Sequence, residues 1–141
     1  VPITAQELTR RVQAATPFIA TLGIEILEAG GGAATARLPV RPELTQDLGH
    51  PHGGVVGALA DFICNLALRT ASVTIEYKVN FLRGAPAASL RAEGRVIREG
   101  RSIAVTEARI HAELPGEEDV LIAIATATLA PMYRDAPAAA T

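Results

Sequence analysis

The sequence predicts a single α+β domain in which a curled antiparallel sheet wraps one apolar helix. Three observations carry this. The chain has 141 residues and is 49% hydrophobic, enough for one core and short for two. From Gly54 to about Arg69 there is almost no polar face, which is the pattern of a helix covered on most sides. Around it lie stretches of period-two alternation joined by short turns, the mark of antiparallel strands.

The elements follow in order. "ITAQELTRRVQAA" opens a helix within residues 1–16: Thr4 and Glu7 have capping-box spacing, Ile3 and Leu8 can close a hydrophobic staple, and Pro17 is expected to end it. "LGIEILEAGGGAATARLPV" alternates Ile24 and Ile26 with acidic residues, turns through Gly30 to Gly32, and resumes with Ala34, Ala36, Leu38 and Val40. It reads as a hairpin. Residues 41–52 hold two prolines and a glycine and form a loop that delivers the chain to the apolar helix. "TIEYKVNFL" places Ile75, Tyr77, Val79 and Phe81 on one face and Thr74, Glu76, Lys78 and Asn80 on the other, beginning near Ser72 with almost no link from the helix. Residues 88–99 and 101–113 flank "REGRS" as a second hairpin, "DVLIAIATATLA" supplies a last strand, and the tail 135–141 is expected to be disordered.

Composition excludes several classes of function. A net charge of -2 with scattered arginines leaves no basic stripe for nucleic acid. No apolar run approaches the ~20 residues that cross a bilayer, and the start "VPITAQELTRR" lacks the apolar core of a signal peptide. Cys64 is the only cysteine, so there is no intrachain disulfide and no paired-cysteine metal or redox motif. A reducing, cytoplasmic location is expected. His50, His52 and Asp47 lack a further nearby ligand, and Pro51 separates the two histidines, so no metal site is expected.

Asp61 stands alone in the middle of the apolar helix. A buried carboxylate is costly to desolvate, so it must have partners or a task. One reading is structural, an acid satisfied by backbone amides or by a serine of a neighbouring strand. Cys64, three positions further on, has no basic neighbour in sequence and reads as packing. His52 reads as a helix cap or loop brace before it reads as a base, and His50 and His111 as ordinary surface or strand residues.

"HGGVVGALAD", taken with "LGIEI" and "TIEYKVNFLRGA", resembles the hot dog fold acyl-CoA thioesterases, in particular the phenylacetate-degradation (PaaI-like) group, and the resemblance covers nearly the whole chain. It implies hydrolysis of an acyl-CoA thioester by a homodimer or homotetramer, with no cofactor beyond the coenzyme A of the substrate. Asp61 occupies the place of the catalytic carboxylate of relatives, and Gly53 that of the glycine whose amide polarises the thioester carbonyl. Gln46 stands where relatives carry Asn or Gln, and Thr74 matches the Ser or Thr that helps to position water. His52, Gly54 and Asn65 fall in the substrate-binding region of the same pattern. Arg101, at the "REGRS" tip, is a candidate for the phosphates of coenzyme A, beside the plainer reading of a solvated turn.

Gly53 and Asp61 are eight residues apart, or about 12 Å along a helix axis. One thioester cannot touch both, because an oxyanion donor must lie about 3 Å from the reacting oxygen while the carboxylate reaches the adjacent carbon. If both act, each site is composite and spans two chains. Two other functions compete with hydrolysis. A hot dog hydratase would pair the Asp with a nearby His, and none follows Asp61 until His111. A non-catalytic acyl-CoA binding or sensing module would keep the cleft and lose the acid.

Overall fold

The structure is a computed structural model that describes residues 2–68 and 70–132. Helices α1 (Ala5–Ala15) and α2 (Pro17–Leu22) lead into the hairpin β1 (Glu25–Gly30) and β2 (Ala33–Pro39). The central helix α3 (Gly53–Ala67) follows, then β3 (Ser72–Phe81), β4 (Ser89–Glu99), β5 (Ala104–Glu113) and β6 (Val120–Pro131). All six strands form one antiparallel sheet in the order β1-β2-β4-β5-β6-β3. This is the hot dog arrangement that the sequence predicts.

The sheet offers α3 a face of small residues. Ala36, Ala92, Ala108, Ala123 and Ala127 are buried beneath it, with Leu38, Leu90, Ile110 and Leu129 filling the ends. Leu59, Ala60, Ile63 and Cys64 come down from the helix to meet them. Gly94 of β4 marks the closest approach. A Cβ there would stand 2.6 Å from the carbonyl oxygen of Ile63, so only glycine lets strand and helix pass. The β1–β2 turn has the same requirement for a different reason: Gly31 and Gly32 adopt φ of 66° and 81°, the left-handed region a tight hairpin needs.

Four expectations need correction. Pro17 does more than stop α1: its preset φ and missing amide suit the first turn of a helix, and α2 begins on it. The central helix ends at Ala67 instead of Arg69, so the link to β3 is longer than the sequence implies, and Met132 closes it by donating its amide to the Ala71 carbonyl at 2.7 Å. Consecutive strands β3 and β4 are not neighbours, because β3 pairs with β6 at the far edge and residues 82–88 cross the end of the sheet. The fourth correction bears most on the site. A β-bulge between Thr74 and Glu76 inserts Ile75 as an extra residue, so alternation fails there. Thr74, paired with Leu129, therefore shares the helix-facing side with Tyr77, Val79 and Phe81, while Glu76, Lys78 and Asn80 face away. The expected tail at 135–141 lies outside the described residues.

The two sheet edges differ. β1 is covered by α1, whose Thr9 hydroxyl accepts the Ile26 amide at 2.9 Å and whose Gln13 side chain donates to the Ile24 carbonyl at 3.0 Å. β3 has no such cover among the described residues, and Val73, Ile75 and Phe81 are 57%, 57% and 59% exposed along it.

Candidate active site

Two polar positions lie on α3. The first is its N-terminus. His52 caps the helix: its Nδ1 accepts the Gly54 amide at 2.8 Å, and its carbonyl accepts the amides of Val55 and Val56 at 3.0 and 3.1 Å. The Gly53 amide alone has no acceptor among the described residues, and it lies at the positive end of the helix dipole. Capping thus uses Gly54 and leaves Gly53 free. Gln46 braces the loop before the helix, its Oε1 accepting the amides of Leu48 and His50 at 2.5 and 3.2 Å. A cavity of about 290 Å³ opens beside Gly53, lined also by Gln46, His50, Phe81, Arg83 and Ile122.

The second position is the middle of the helix. Asp61 Oδ1 accepts the Thr74 hydroxyl at 2.6 Å and the Asn65 side-chain amide at 3.2 Å. That amide also faces Thr74 Oγ1 at 2.8 Å and the Asp61 carbonyl at 2.9 Å. Asn65 is oriented in turn by Ser72, whose hydroxyl donates to its Oδ1 at 2.7 Å. No Lys, Arg or His pairs with Asp61 among the described residues, and its Oδ2 has no donor there. The result is a carboxylate held by neutral groups on one oxygen and open on the other. Such a group can accept a proton or attack a carbon.

Asp61, Asn65 and Thr74 are therefore together, and Gly53 and Gln46 are together at the other end of the helix. One chain does not unite the two groups. Ser72 was missed by sequence reasoning, and its signal was available only through the bulge that re-aims the start of β3. Arg101 is exposed at the β4–β5 tip; the register Ala104–Leu129–Thr74 puts that tip at the Asp61 end of the sheet, two strands from β3. Cys64 is fully buried, and desolvation pushes its thiol up to about 11 against the smaller opposite pull of the Thr106 hydroxyl. His111 lies on the outer side of β5, and His50 lines the cavity with its Nδ1 against Gly84.

The model of the Thioesterase superfamily matches residues 48–118, which hold α3, β3, β4 and β5, and the chain belongs to that family. It is similar to a thioesterase family protein of Silicibacter pomeroyi of known structure, 34% identical, with a TM-score of 0.80 over 86% of this chain and 93% of that one. A thioesterase of Haemophilus influenzae is 28% identical with a TM-score of 0.79, covering 94% and 92% of the two chains. The E. coli PaaI protein, at 20% identity and a TM-score of 0.76 over 92% and 97%, shares the fold. An esterase-named protein of Saccharolobus solfataricus is 31% identical over 91 residues, 61% of this chain and 65% of that one, so the match spans just under two thirds of that relative.

Proposed function

We propose that the protein hydrolyses the thioester of an acyl-CoA, aryl-acyl or medium-chain, to the free acid and coenzyme A, at a site shared by two copies of the chain. The observation that carries this is the pair of half-sites on one helix: among the described residues, a spare Gly53 amide with an open cavity, and about 12 Å away an Asp61 oxygen without a donor. Each half lacks what the other has. The exposed apolar edge of β3, against the covered edge of β1, favours a second copy as the element that joins them. Dimers, alone or paired into tetramers, meet the requirement.

In this reading the Gly53 amide receives the developing oxyanion, worth a few kcal/mol for one good donor. Asp61 of the other copy either attacks the carbonyl and expels the thiolate of coenzyme A to give an acyl-enzyme anhydride, or takes a proton from the attacking water. In the first route water hydrolyses the anhydride to the free acid and the Asp61 carboxylate, with a proton passing to the thiolate. In the second route the tetrahedral intermediate collapses, expels the thiolate of coenzyme A, and Asp61 returns the proton to it. Thr74 and Asn65 fix the carboxylate, and Gln46 shapes the loop beside the carbonyl. No cofactor is needed, and the single buried thiol suits a cytoplasmic location.

The test is thiol release from a panel of acyl-CoA esters. Asp61→Asn should lose at least about 100-fold in kcat, and equal activity in the two proteins would remove Asp61 from the mechanism. Gly53→Pro deletes the amide at a position where proline fits, since His52 already has φ -65° and ψ 139°. It should lose a similar factor. Mixing the two inactive variants with subunit exchange should restore about a quarter of wild-type activity, because half the dimers are mixed and each carries one intact site. No restoration from exchanged dimers would rule out a shared site. Sedimentation should find at least a dimer of the 14.7 kDa chain.

A further inference from the structure

We infer that Tyr77 closes the acyl end of the site and limits the length of acyl group it takes; this rests on the shared thioesterase site proposed above. Gly57 is four residues after Gly53 and four before Asp61. A two-fold axis that brings Gly53 of one copy to Asp61 of the other must therefore pass beside residue 57. Regular alternation back from Phe81 and Val79 puts Tyr77 on the helix-facing side of β3 at this height: its hydroxyl lies 3.6 Å from where a Cβ on Gly57 would stand. No side chain at 57 keeps the ring away. The phenol is 47% exposed and its hydroxyl makes no hydrogen bond among the described residues.

The direction of the substrate follows from its chemistry. Coenzyme A is large and anionic and must leave the site toward solvent. The open side is the cavity at Gly53, where Arg83 and His50 line the wall. The acyl group then runs the other way, from Gly53 toward the axis, about 6 Å along the helix to Gly57. There it meets the ring of Tyr77. The residue touches the end of the acyl chain and not the reacting carbon, so it sets specificity.

The test uses the full-length protein and kcat/KM for butanoyl-, hexanoyl-, octanoyl- and decanoyl-CoA. Wild type should favour the shorter esters. Tyr77→Ala should raise the octanoyl-to-butanoyl ratio by at least about 10-fold, chiefly through KM of the longer ester, as expected when a few methylenes gain room. Tyr77→Phe, which keeps the ring, should stay within about 3-fold of wild type, and Tyr77→Leu should fall between, carrying the test if the alanine variant does not assemble. Unchanged ratios in active Tyr77→Leu and Tyr77→Ala would overturn the inference while leaving the thioesterase reading intact. A wild-type protein that releases no thiol from any ester would sink both.

Discussion

Two carboxylates on opposite sides of the sheet are treated differently by the fold. Glu113, on the outer face, accepts Arg37 at 2.8 and 3.3 Å, Arg91 at 3.1 Å and the Ser89 hydroxyl at 3.0 Å. The Arg37 hydrogen bond, backed by Ser89 and Arg91 against a smaller desolvation cost, holds its carboxyl at about 2. Arg91 also reaches Asp119 and Glu93, so the cluster is a closed network of charges that satisfies itself. Asp61, on the inner side, has only neutral donors among the described residues and one oxygen left over there. A carboxylate surrounded by guanidinium groups has its lone pairs engaged on both oxygens, whereas one held by a hydroxyl and an amide on a single oxygen leaves the other open.

The largest effect expected from breaking this contrast is a separation of activity from stability. Asp61→Asn should abolish most turnover yet leave the melting temperature unchanged or slightly higher, since Asn can still accept the Thr74 hydroxyl and buries no charge. A large fall in melting temperature would make Asp61 a structural acid like Glu113.

Next in size is the orientation of Asp61. Thr74→Val keeps the shape and suits a strand, but it removes the hydroxyl 2.6 Å from Oδ1. We expect about 10-fold lower kcat with little change in KM, the loss of one orienting hydrogen bond. Ser72→Ala should cost less, because it acts on Asp61 only through Asn65. A Ser72 effect larger than that of Thr74 would reverse the order of the relay.

A smaller effect, on stability alone, is expected at Glu113. Its folded carboxyl is depressed from 4.5 to about 2, so its contribution is complete above pH 4.5 and is lost as pH falls toward 2. Glu113→Gln should cost about 1–2 kcal/mol at neutral pH, below the full linkage value because Arg37 is 38% exposed, and should leave kcat unchanged. Melting curves between pH 2 and 5 should be flatter for the variant than for wild type. Parallel curves would show that the network carries no net stability.

The comparison also explains what could be read from sequence. Asp61 stood out because the helix around it is apolar, and Gly53 because a glycine pair follows the capping histidine; both are local signals. The apolar periodicity gave α3 and most strands within a few residues. The position of Thr74 could be tied to Asp61 only by resemblance, since strict alternation puts it on the wrong face and the bulge that corrects this is set by pairing with β6, some 55 residues away. Ser72 and the β3 edge were hidden for the same reason. Glu113 looked like any strand carboxylate, because its partners Arg37 and Arg91 come from two other strands.

The smallest effect is the one expected at Cys64, a third ionisable group and one turn of helix from Asp61. It points into the core beside Thr106 and is fully buried. Burial raises its thiol to about 11, so at pH 8 the thiolate is on the order of 0.1% of the population, and access is closed as well. Iodoacetamide should therefore leave native activity unchanged and modify Cys64 only after denaturation, as intact-mass measurement would show. Rapid native alkylation with loss of turnover would mean that the helix opens far enough to expose its core face, and the rigid separation of Gly53 from Asp61 within one chain would no longer hold.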